Sequence, residues 1–441
     1  MLRTCCYILT LFSLLSCNSQ PITFKKKLIE PGFSIKLFDC AESYDGGALF
    51  CGRFDKADYD IHNELYGYDE EKYPEYIRKS FSGRPNIILH QTNARGDSLW
   101  TKILPFAFEA SKIIRGKGQT YYIMGFFTEE REKTHSWDRT QAPVIVKLSK
   151  DGTPIWKKQI KSPLNSTAVD LVEVAGGDLI MACHQTRYVG GDLNATKHHE
   201  IRLVKLSSDG KLLWDKVWKG KAPRLMENTD QSAAALGWDD SKGLFLLGNY
   251  ASSTSTFVAL LDTSAKTLNQ QHFSWKKSNY GTEWNTGFSL AVADDGILIS
   301  VSAYHGEKAH HLVKLNWQLE KKWEHLQACR PTENSEVAID KEGNCYFAGL
   351  SRERQLILVS FDEDGNKRWE KDFGPPEPNW ETEDLEEFMQ AGRGRKTIGE
   401  MGGIVVKTTG EILFCAPQHT SGISDWNGVM YQLNQQGELQ K

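Results

Sequence analysis

Several features that commonly reveal a function are missing from this sequence of 441 residues. There is no HExxH motif, no GxSxG motif, no glycine-rich phosphate loop and no convincing pair of carboxylates. The cysteines form no CxxC pair and follow no metal-type spacing. Neither sign of charge dominates, since 53 basic residues stand against 57 acidic ones. A nucleic-acid-binding domain would be basic, so no nucleic-acid partner is expected.

Long hydrophobic runs are also missing, and the longest one lies at the start of the chain. Arg3 is followed by an apolar run from Tyr7 to Leu15, which is too short to span a bilayer as a helix but is typical of an export signal. The run ends in Leu14–Cys17, which resembles the lipobox of bacterial lipoproteins. By that resemblance residues 1–16 form a signal peptide, and Cys17 is lipidated on its sulfur. An ordinary secretory signal is the alternative.

A lipidated Cys17 would hold the protein on a membrane without a transmembrane helix. Asn18 follows it in place of Asp, so nothing argues for retention at an inner membrane. We therefore expect a cell-envelope protein, on the outer membrane or the cell surface. Residues 17–441 are expected to form one domain. With 40% hydrophobic and 25% charged residues, 13 Trp, 15 Tyr and 20 Phe, its composition favours a globular all-β fold.

The strongest signal in the sequence is an internal repeat. An apolar alternating run is followed by Asp-Gly and, four residues after the glycine, by Trp. Clear copies contain Asp151-Gly152 with Trp156, Asp209-Gly210 with Trp214, and Asp364-Gly365 with Trp369. Gly accepts the positive φ of a tight turn, so each copy predicts a β-hairpin. The anchor aromatics of all copies recur every 46 to 59 residues, a spacing read directly from their numbers: Trp100, Trp156, Trp214, Phe273, Trp323 and Trp369.

A second pair of strands precedes each hairpin, so each repeat contains four strands, a to d. Four-stranded units of this length are typical of propeller blades, and counting the a–b pairs predicts a seven-bladed β-propeller. The last repeat ends at Lys441, before its strand d. Ile22–Lys26 resembles the strand-d residues Pro154–Lys158. We therefore predict that residues 21–30 supply the missing strand and close the ring, which removes an open edge.

The hairpin from Asp362 to Trp369 resembles the PQQ-like and related repeats of bacterial propeller lipoproteins. The resemblance covers nearly the whole mature chain and implies the fold, but little about function. Quinone-dependent members place adjacent cysteines over the quinone, whereas the adjacent pair in this chain, Cys5-Cys6, lies in the signal. No cofactor is therefore expected, apart from the covalent lipid on Cys17.

The long connections of the predicted propeller all lie on one face, where the b–c loops meet the connections from strand d to the next strand a. Functional loops gather on one side of a rigid scaffold, so this long-loop face is the predicted binding surface. Its aromatic, histidine and arginine side chains could stack on sugars or anchor a peptide, or they could only tether the loops. The candidate ligand-binding residues are Trp137, His184, Arg187, Tyr280, Trp284, His305, Trp380, His419 and Trp426.

Other polar groups have simpler interpretations. The pairs His198-His199 and His310-His311 could ligate a metal, but we expect them to face solvent. Asp362–Gly365 resembles the start of a calcium loop, but its place in the repeat predicts a hairpin turn. No metal site is expected. Cys40 and Cys51 are the most plausible disulfide on their proximity in the sequence.

Two functions remain open. The first is a membrane-anchored scaffold that binds a glycan, a peptide or an envelope protein through the long-loop face. The second is a hydrolase or lyase that acts on a glycan at the same face. Paired carboxylates about 5–10 Å apart at the mouth of the central channel would favour a glycosidase.

Overall fold

The computed structural model describes most of the predicted strands and the turns between them. It covers residues 24–28, 33–56, 86–106, 108–129, 140–162, 164–189, 196–221, 230–250, 255–274, 285–304, 308–328, 335–351, 356–373, 402–419 and 426–439. These residues form seven antiparallel four-stranded sheets. Cys17 and the signal segment lie outside them.

Each sheet is one blade, and its strands follow one another in the order a, b, c and d. Blade 1 consists of β2 (Phe33–Glu42), β3 (Ala48–Lys56), β4 (Asn86–Thr92) and β5 (Ser98–Leu104). Blade 2 consists of β6 (Glu109–Gly116), β7 (Thr120–Glu129), β8 (Thr140–Ser149) and β9 (Pro154–Gln159). Blade 3 consists of β10 (Asn165–Glu173), β11 (Leu179–Val189), β12 (Thr196–Leu206) and β13 (Leu212–Trp218), with a 3-10 turn at Ala175–Gly177. Blade 4 consists of β14 (Gln231–Asp239), β15 (Gly243–Tyr250), β16 (Thr256–Leu261) and β17 (Thr267–Phe273).

The remaining three blades complete the ring. Blade 5 consists of β18 (Asn285–Ala293), β19 (Gly296–Tyr304), β20 (Lys308–Leu315) and β21 (Lys321–Ala328). Blade 6 consists of β22 (Glu336–Ile339), β23 (Cys345–Leu350), β24 (Leu356–Phe361) and β25 (Lys367–Asp372). Blade 7 consists of β26 (Ile404–Val406), β27 (Ile412–His419), β28 (Trp426–Leu433) and β1 (Phe24–Leu28).

The N-terminal strand closes the ring, as the incomplete last repeat predicts. β1 pairs antiparallel with β28, and Phe24 lies opposite Gln432. Blade 7 then packs against blade 1, where the Gln432 amide donates to the carbonyl of Ala94 at 3.2 Å. The structure is therefore a seven-bladed β-propeller, and the sequence prediction of its fold is confirmed.

The Asp-Gly turns repeat one hydrogen-bond pattern. In blade 6 the Asp362 carboxylate accepts the N–H of Asn366 at 2.8 Å, and the Asp362 N–H donates to the Asn366 carbonyl at 2.9 Å. Gly365 takes a φ of 85°, which a residue with a Cβ adopts only with strain. The segment thus forms the hairpin turn that its place in the repeat predicts.

The repeated Trp joins neighbouring blades. Trp323 of blade 5 lies on the turn glycine of blade 6, so that a Cβ added to Gly365 would sit 2.6 Å from the indole ring. The Trp323 indole N–H also donates to the carbonyl of Glu363 in that turn, at 2.9 Å. Trp156 makes the same pair of contacts with Gly210 and Ser208 of the next blade. The Trp of each of these copies therefore packs on the Asp-Gly turn of the next copy, and this contact joins neighbouring blades.

The hydrophobic core is divided among the blade interfaces. Seven clusters of buried side chains lie in the described residues, one between each pair of adjacent blades. Each cluster joins one face of a sheet to the facing side of its neighbour, and this sheet-on-sheet burial stabilises the ring. No helix in the described part of the chain is long and apolar enough to cross a membrane.

Cys40 and Cys51, the most plausible disulfide on sequence proximity, do not form one, and both thiols are free. Cys51 lies opposite Asp39 rather than Cys40 in the β2–β3 ladder. Successive side chains point to opposite faces of a sheet, so the two thiols leave blade 1 on different sides. Cys40 packs towards blade 7, in the cluster that contains Cys415, and Cys51 packs towards blade 2.

Candidate functional site

The structure describes only some of the residues predicted to bind a ligand. Trp137, Tyr280, Trp284, His305 and Trp380 lie outside the described residues. Arg187 lies near the end of β11, opposite His198 of β12. His419 and Trp426 lie opposite each other at the b–c end of blade 7. His184 is the predicted residue whose side chain is described, and it lines the central channel.

The channel is shaped by a bulge that recurs in strand a. In blades 1 to 5 the register of strand a shifts by one residue at the same level of the sheet. A bulge leaves one extra residue unpaired and re-aims the side chains around it. The extra residues all line the channel, and they are Phe38, Ser111, Val169, Ala234 and Phe288.

A cavity of about 660 Å³ occupies the channel at this level. On β15 it reaches Asn249, next to the last residue of the strand, and on β18 it begins at Thr286, the second residue. Strand b ends and strand a begins at the long-loop face, so the cavity lies in the half of the channel nearer that face. This hub cavity has the size of an ordinary small-molecule site.

A ring of seven residues, one from each blade, lies at the level directly after this bulge. Each of them pairs with the equivalent position of strand b, as Asp39 does with Cys51 and Glu336 with Ala348. Blade 7 contributes Gly403, whose carbonyl accepts the N–H of Cys415 at 3.2 Å. We call this set the hub ring, in blade order Asp39, Lys112, Asp170, Ala235, Ser289, Glu336 and Gly403.

Three members of the hub ring bind the backbone of the following blade. The Asp39 carboxylate accepts the N–H of Ile113 at 2.8 Å, and the Asp170 carboxylate accepts the N–H of Leu236 at 2.8 Å. The Ser289 hydroxyl accepts the N–H of Val337 at 3.2 Å. These bonds join blades 1 and 2, 3 and 4, and 5 and 6. They satisfy buried N–H groups that no strand ladder reaches, and so they have a structural role.

The other charged members of the hub ring face the cavity. The Lys112 ammonium lies 3.5 Å from the Asp170 carboxylate, and 31% of its side chain is exposed. The pKa of Lys112 is raised, chiefly by the negative charge of Asp170, with further contributions from Asp39 and Glu336. Lys112 is therefore a permanent cation on the cavity wall.

Burial shifts the titration of two carboxyls in the ring. Desolvation raises the pKa of Glu336 to about 7, although Lys112 and the Ser289 hydroxyl oppose the shift. Desolvation also raises the pKa of Asp39 to about 6, against the opposing charge of Lys112 and the N–H of Ile113. Both carboxyls therefore titrate near neutral pH, which is common in functional sites.

His184 belongs to a chain of side chains on blade 3. Its Nε2 lies 2.8 Å from Nδ1 of His199, and the two ring centroids are 4.7 Å apart. The neighbouring His198 points to the other face of β12, where its Nδ1 lies 3.1 Å from the Asp230 carboxylate. Within the described ranges no group of three His, Cys, Asp or Glu side chains could hold a metal ion.

A second histidine stands behind the cavity wall on blade 5. Nδ1 of His310 lies 3.1 Å from the hydroxyl of Ser335, and that hydroxyl lies 2.6 Å from the one of Ser300. The His310 ring also contacts Phe288. Its neighbour His311 points away and lies 2.6 Å from the Glu324 carboxylate. Side chains alternate between the two faces of a strand, so the members of each pair point in opposite directions. The prediction that both pairs face solvent is wrong for blade 5, where His310 and His311 are buried.

The most important site residues were missed by sequence reasoning. Asp39, Lys112, Asp170 and Glu336 lie on inner strands, whereas the predicted binding residues were sought on the long loops. The detectable signal was a charged residue inside an apolar strand-a segment, as in Leu37-Phe38-Asp39-Cys40.

Comparisons with known proteins add little to this geometry. No protein-family model matches the chain, and no curated protein matches it. One similar solved structure is a protein of unknown function from Dyadobacter fermentans, with 10% identity, a TM-score of 0.44, and coverage of 94% of this chain and 100% of that one. A Lactobacillus plantarum protein has 13% identity, a TM-score of 0.45, and coverage of 77% and 85%. A Hadza microbial sialidase has 10% identity, a TM-score of 0.42, and coverage of 72% and 63%. The fold assignment therefore rests on the strand pairing itself.

Proposed function

We propose that this protein is an exported, lipid-anchored propeller that binds a small polar ligand in the hub cavity. The observation that carries the proposal is the cavity of about 660 Å³, which combines aromatic walls with carboxylate and ammonium groups. Binding sites are typically apolar clefts with a few convergent polar groups of perturbed pKa. A ligand would enter from the long-loop face.

The sequence supports the location in this proposal. The segment Leu14–Cys17 resembles a lipobox, and the repeats resemble those of PQQ-like propeller lipoproteins. A lipid on Cys17 would hold the propeller at the cell envelope, on the outer membrane or the cell surface. The ligands within reach there include glycans and envelope proteins.

A sugar residue fits the chemistry of the cavity. Phe38, Phe126 and Phe288 line it and can cover the apolar face of a sugar ring. Asp170 and Glu336 line it as well and can accept hydrogen bonds from sugar hydroxyls. We therefore favour a glycan, held by one or two of its residues in the cavity, over a large protein partner.

A glycan array with the purified protein, followed by calorimetry on its hits, tests the proposal. Ala234→Phe would fill the cavity at a bulge position where blades 1 and 5 already carry phenylalanine, as Phe38 and Phe288. We expect this variant to fold and to bind at least about tenfold more weakly, since overlap of even a few atoms excludes a bound ligand. Ala328→Phe, on an exposed position of the outer strand β21, is the matched control. Equal binding by the two variants would refute the hub cavity as the site.

One observation favours an enzyme as the second candidate. The carboxyl of Glu336 has a pKa of about 7, so it can donate a proton to a leaving group at neutral pH. In a glycosidase the second carboxylate would come from Asp170 or Asp39 of the same ring. Release of reducing ends from a polysaccharide, lost in Glu336→Gln while binding persists, would establish this activity and replace the scaffold role.

A further inference from the structure

The hub ring surrounds the cavity unevenly. Blades 4 and 7 contribute Ala235 and Gly403, and blade 5 contributes the short Ser289. Glu336 of blade 6 and Lys112 of blade 2 lie about as far apart as two members of a seven-membered ring can. Glu336 is therefore the one ionisable member that blades 4 to 7 contribute to the ring.

One oxygen of Glu336 is fixed and the other is open. Oε2 accepts the hydroxyl hydrogen of Ser289 at 2.8 Å. Ser289 in turn accepts the N–H of Val337 at 3.2 Å, so its own position is set by the backbone of blade 6. Oε1 has no hydrogen-bond partner within the residues that the structure describes. The side chain lines the cavity, and a ligand atom can reach this oxygen.

The charges around the cavity do not balance. The hub ring holds three carboxyls, Asp39, Asp170 and Glu336, and one ammonium, Lys112, which is already paired with Asp170 at 3.5 Å. His184 is the other titratable side chain described on the cavity wall. Lys112 is the one cation of the ring that stabilises a charge on Glu336, and it is already paired with Asp170, so a bound cation would offset the cost of burying that charge.

We infer that the hub cavity selects ligands that carry a primary ammonium group, and that this group binds Oε1 of Glu336. This inference rests on the proposed function, since it names the ligand class of the same site. Phe288 directly precedes Ser289 on β18 and also lines the cavity, so it can contact the apolar body next to the ammonium group. An amino sugar has both features.

Binding should then release a proton. The groups that face Glu336 are Ser289, Lys112, Asp39 and Asp170. In the free protein burial, together with the negative charges of Asp39 and Asp170, outweighs Lys112 and the Ser289 hydroxyl and holds the pKa of Glu336 at about 7. At pH 6 the free carboxyl is about nine-tenths protonated, whereas a bound ammonium group requires the carboxylate. We therefore expect close to one proton to leave for each ligand bound at pH 6, and affinity to rise about tenfold from pH 6 to pH 8 for an alkylamine ligand.

Calorimetry on the full chain tests the inference. Three primary amines of different shape serve as probes: a glucosamine tetramer, spermidine and an aminohexyl glucoside, each beside its fully N-acetylated counterpart. Titrations at pH 6 in two buffers with different ionisation enthalpies give the number of protons released. The variants are Glu336→Gln, which keeps the shape of the side chain, and Glu342→Gln, on the exposed a–b turn of the same blade.

The expected result is that at least one amine binds ten or more times more tightly than its acetylated form and releases about one proton. Glu336→Gln should lose both the preference and the proton release, and Glu342→Gln should keep them. Equal binding of amine and acetylated forms would overturn the inference but leave the proposed function standing. If none of the three amines binds, the inference is also overturned. The glycan array tests the proposed function independently of this result. If Glu336→Gln does not fold, the proton count of the wild-type protein still decides.

Discussion

Replacing Glu336 by glutamine should change how the stability of the unliganded protein depends on pH. The folded state raises the pKa of this carboxyl from its ordinary value of 4.5 to about 7, mainly through burial. The folded state therefore prefers the protonated form. Its contribution to stability is fully present below about pH 4.5 and is lost as the pH rises through 7. Glutamine stays neutral, so the variant should lack this loss.

The size of the effect follows from the two pKa values. The pKa of Glu336 differs by about 2.5 between the folded and unfolded states, and each pKa unit corresponds to about 1.4 kcal/mol. The largest possible loss of folding stability at pH 8 is therefore about 3 kcal/mol. The side chain borders a cavity that water can enter, which screens its charge, so we expect about 1–2 kcal/mol. Asp39, with its pKa raised to about 6, contributes in the same direction and leaves a residual slope in the variant.

Urea denaturation at pH 5 and pH 8, followed by tryptophan fluorescence, measures the difference. The wild-type protein should lose about 1–2 kcal/mol more than Glu336→Gln between the two pH values. Glu342→Gln, on an exposed turn, should follow the wild-type protein. Parallel pH profiles for Glu336→Gln and the wild-type protein would refute the assignment of a protonated carboxyl to the hub ring.

Two further substitutions test how the blades are joined. Asp170→Ala should cost about 2–4 kcal/mol in urea denaturation, because the buried N–H of Leu236 loses its acceptor, and Asp170→Asn should cost less because its amide oxygen can still accept. Gly365→Ala and Gly343→Ala impose the same backbone strain, with φ near 85° at both sites, but only at Gly365 would the new Cβ meet the Trp323 ring. The first should therefore cost about 1–3 kcal/mol more than the second, and equal thermal denaturation midpoints would exclude the proposed role of the tryptophan.

The fold was predictable because its signals are local and are repeated. A tight turn after an alternating strand specifies a hairpin wherever it occurs, and seven such units allow few architectures. The closing strand could be predicted as well, because the last repeat lacks strand d and Ile22–Lys26 resembles the strand-d residues of other repeats. The contact between Trp323 and Gly365 of the next copy could not be predicted. Each clear copy of the motif contains both a Trp and a Gly, so the sequence does not show whether they meet within one copy or between two.

The hub cavity was not predictable because a bulge breaks the two-residue period. Phe38 and Asp39 are consecutive, and in a regular strand they would point to opposite faces. The bulge leaves Phe38 unpaired and turns it towards the channel, while the Asp39 carboxylate reaches the N–H of Ile113 in the next blade. A single register shift of this kind has no strong sequence signal, since the residues at the bulge range from Ser111 to Phe288.

The blades differ most where the proposed site lies. At the outer edge of the propeller one contact is repeated. A Trp from one blade contacts a turn glycine of the next blade at four of the seven junctions. At the hub ring the backbone position is equivalent in every blade, but the residues run from glycine through serine to lysine and glutamate. A blade therefore forms with almost any residue at that position. Asp39, Asp170 and Ser289 are explained by the N–H groups that they bind, whereas Lys112 and Glu336 satisfy no backbone group in the described residues. Lys112 still pairs with Asp170, whereas Oε1 of Glu336 has no hydrogen-bond partner in the described residues, so Glu336 is the residue for which a ligand gives the simplest physical reason.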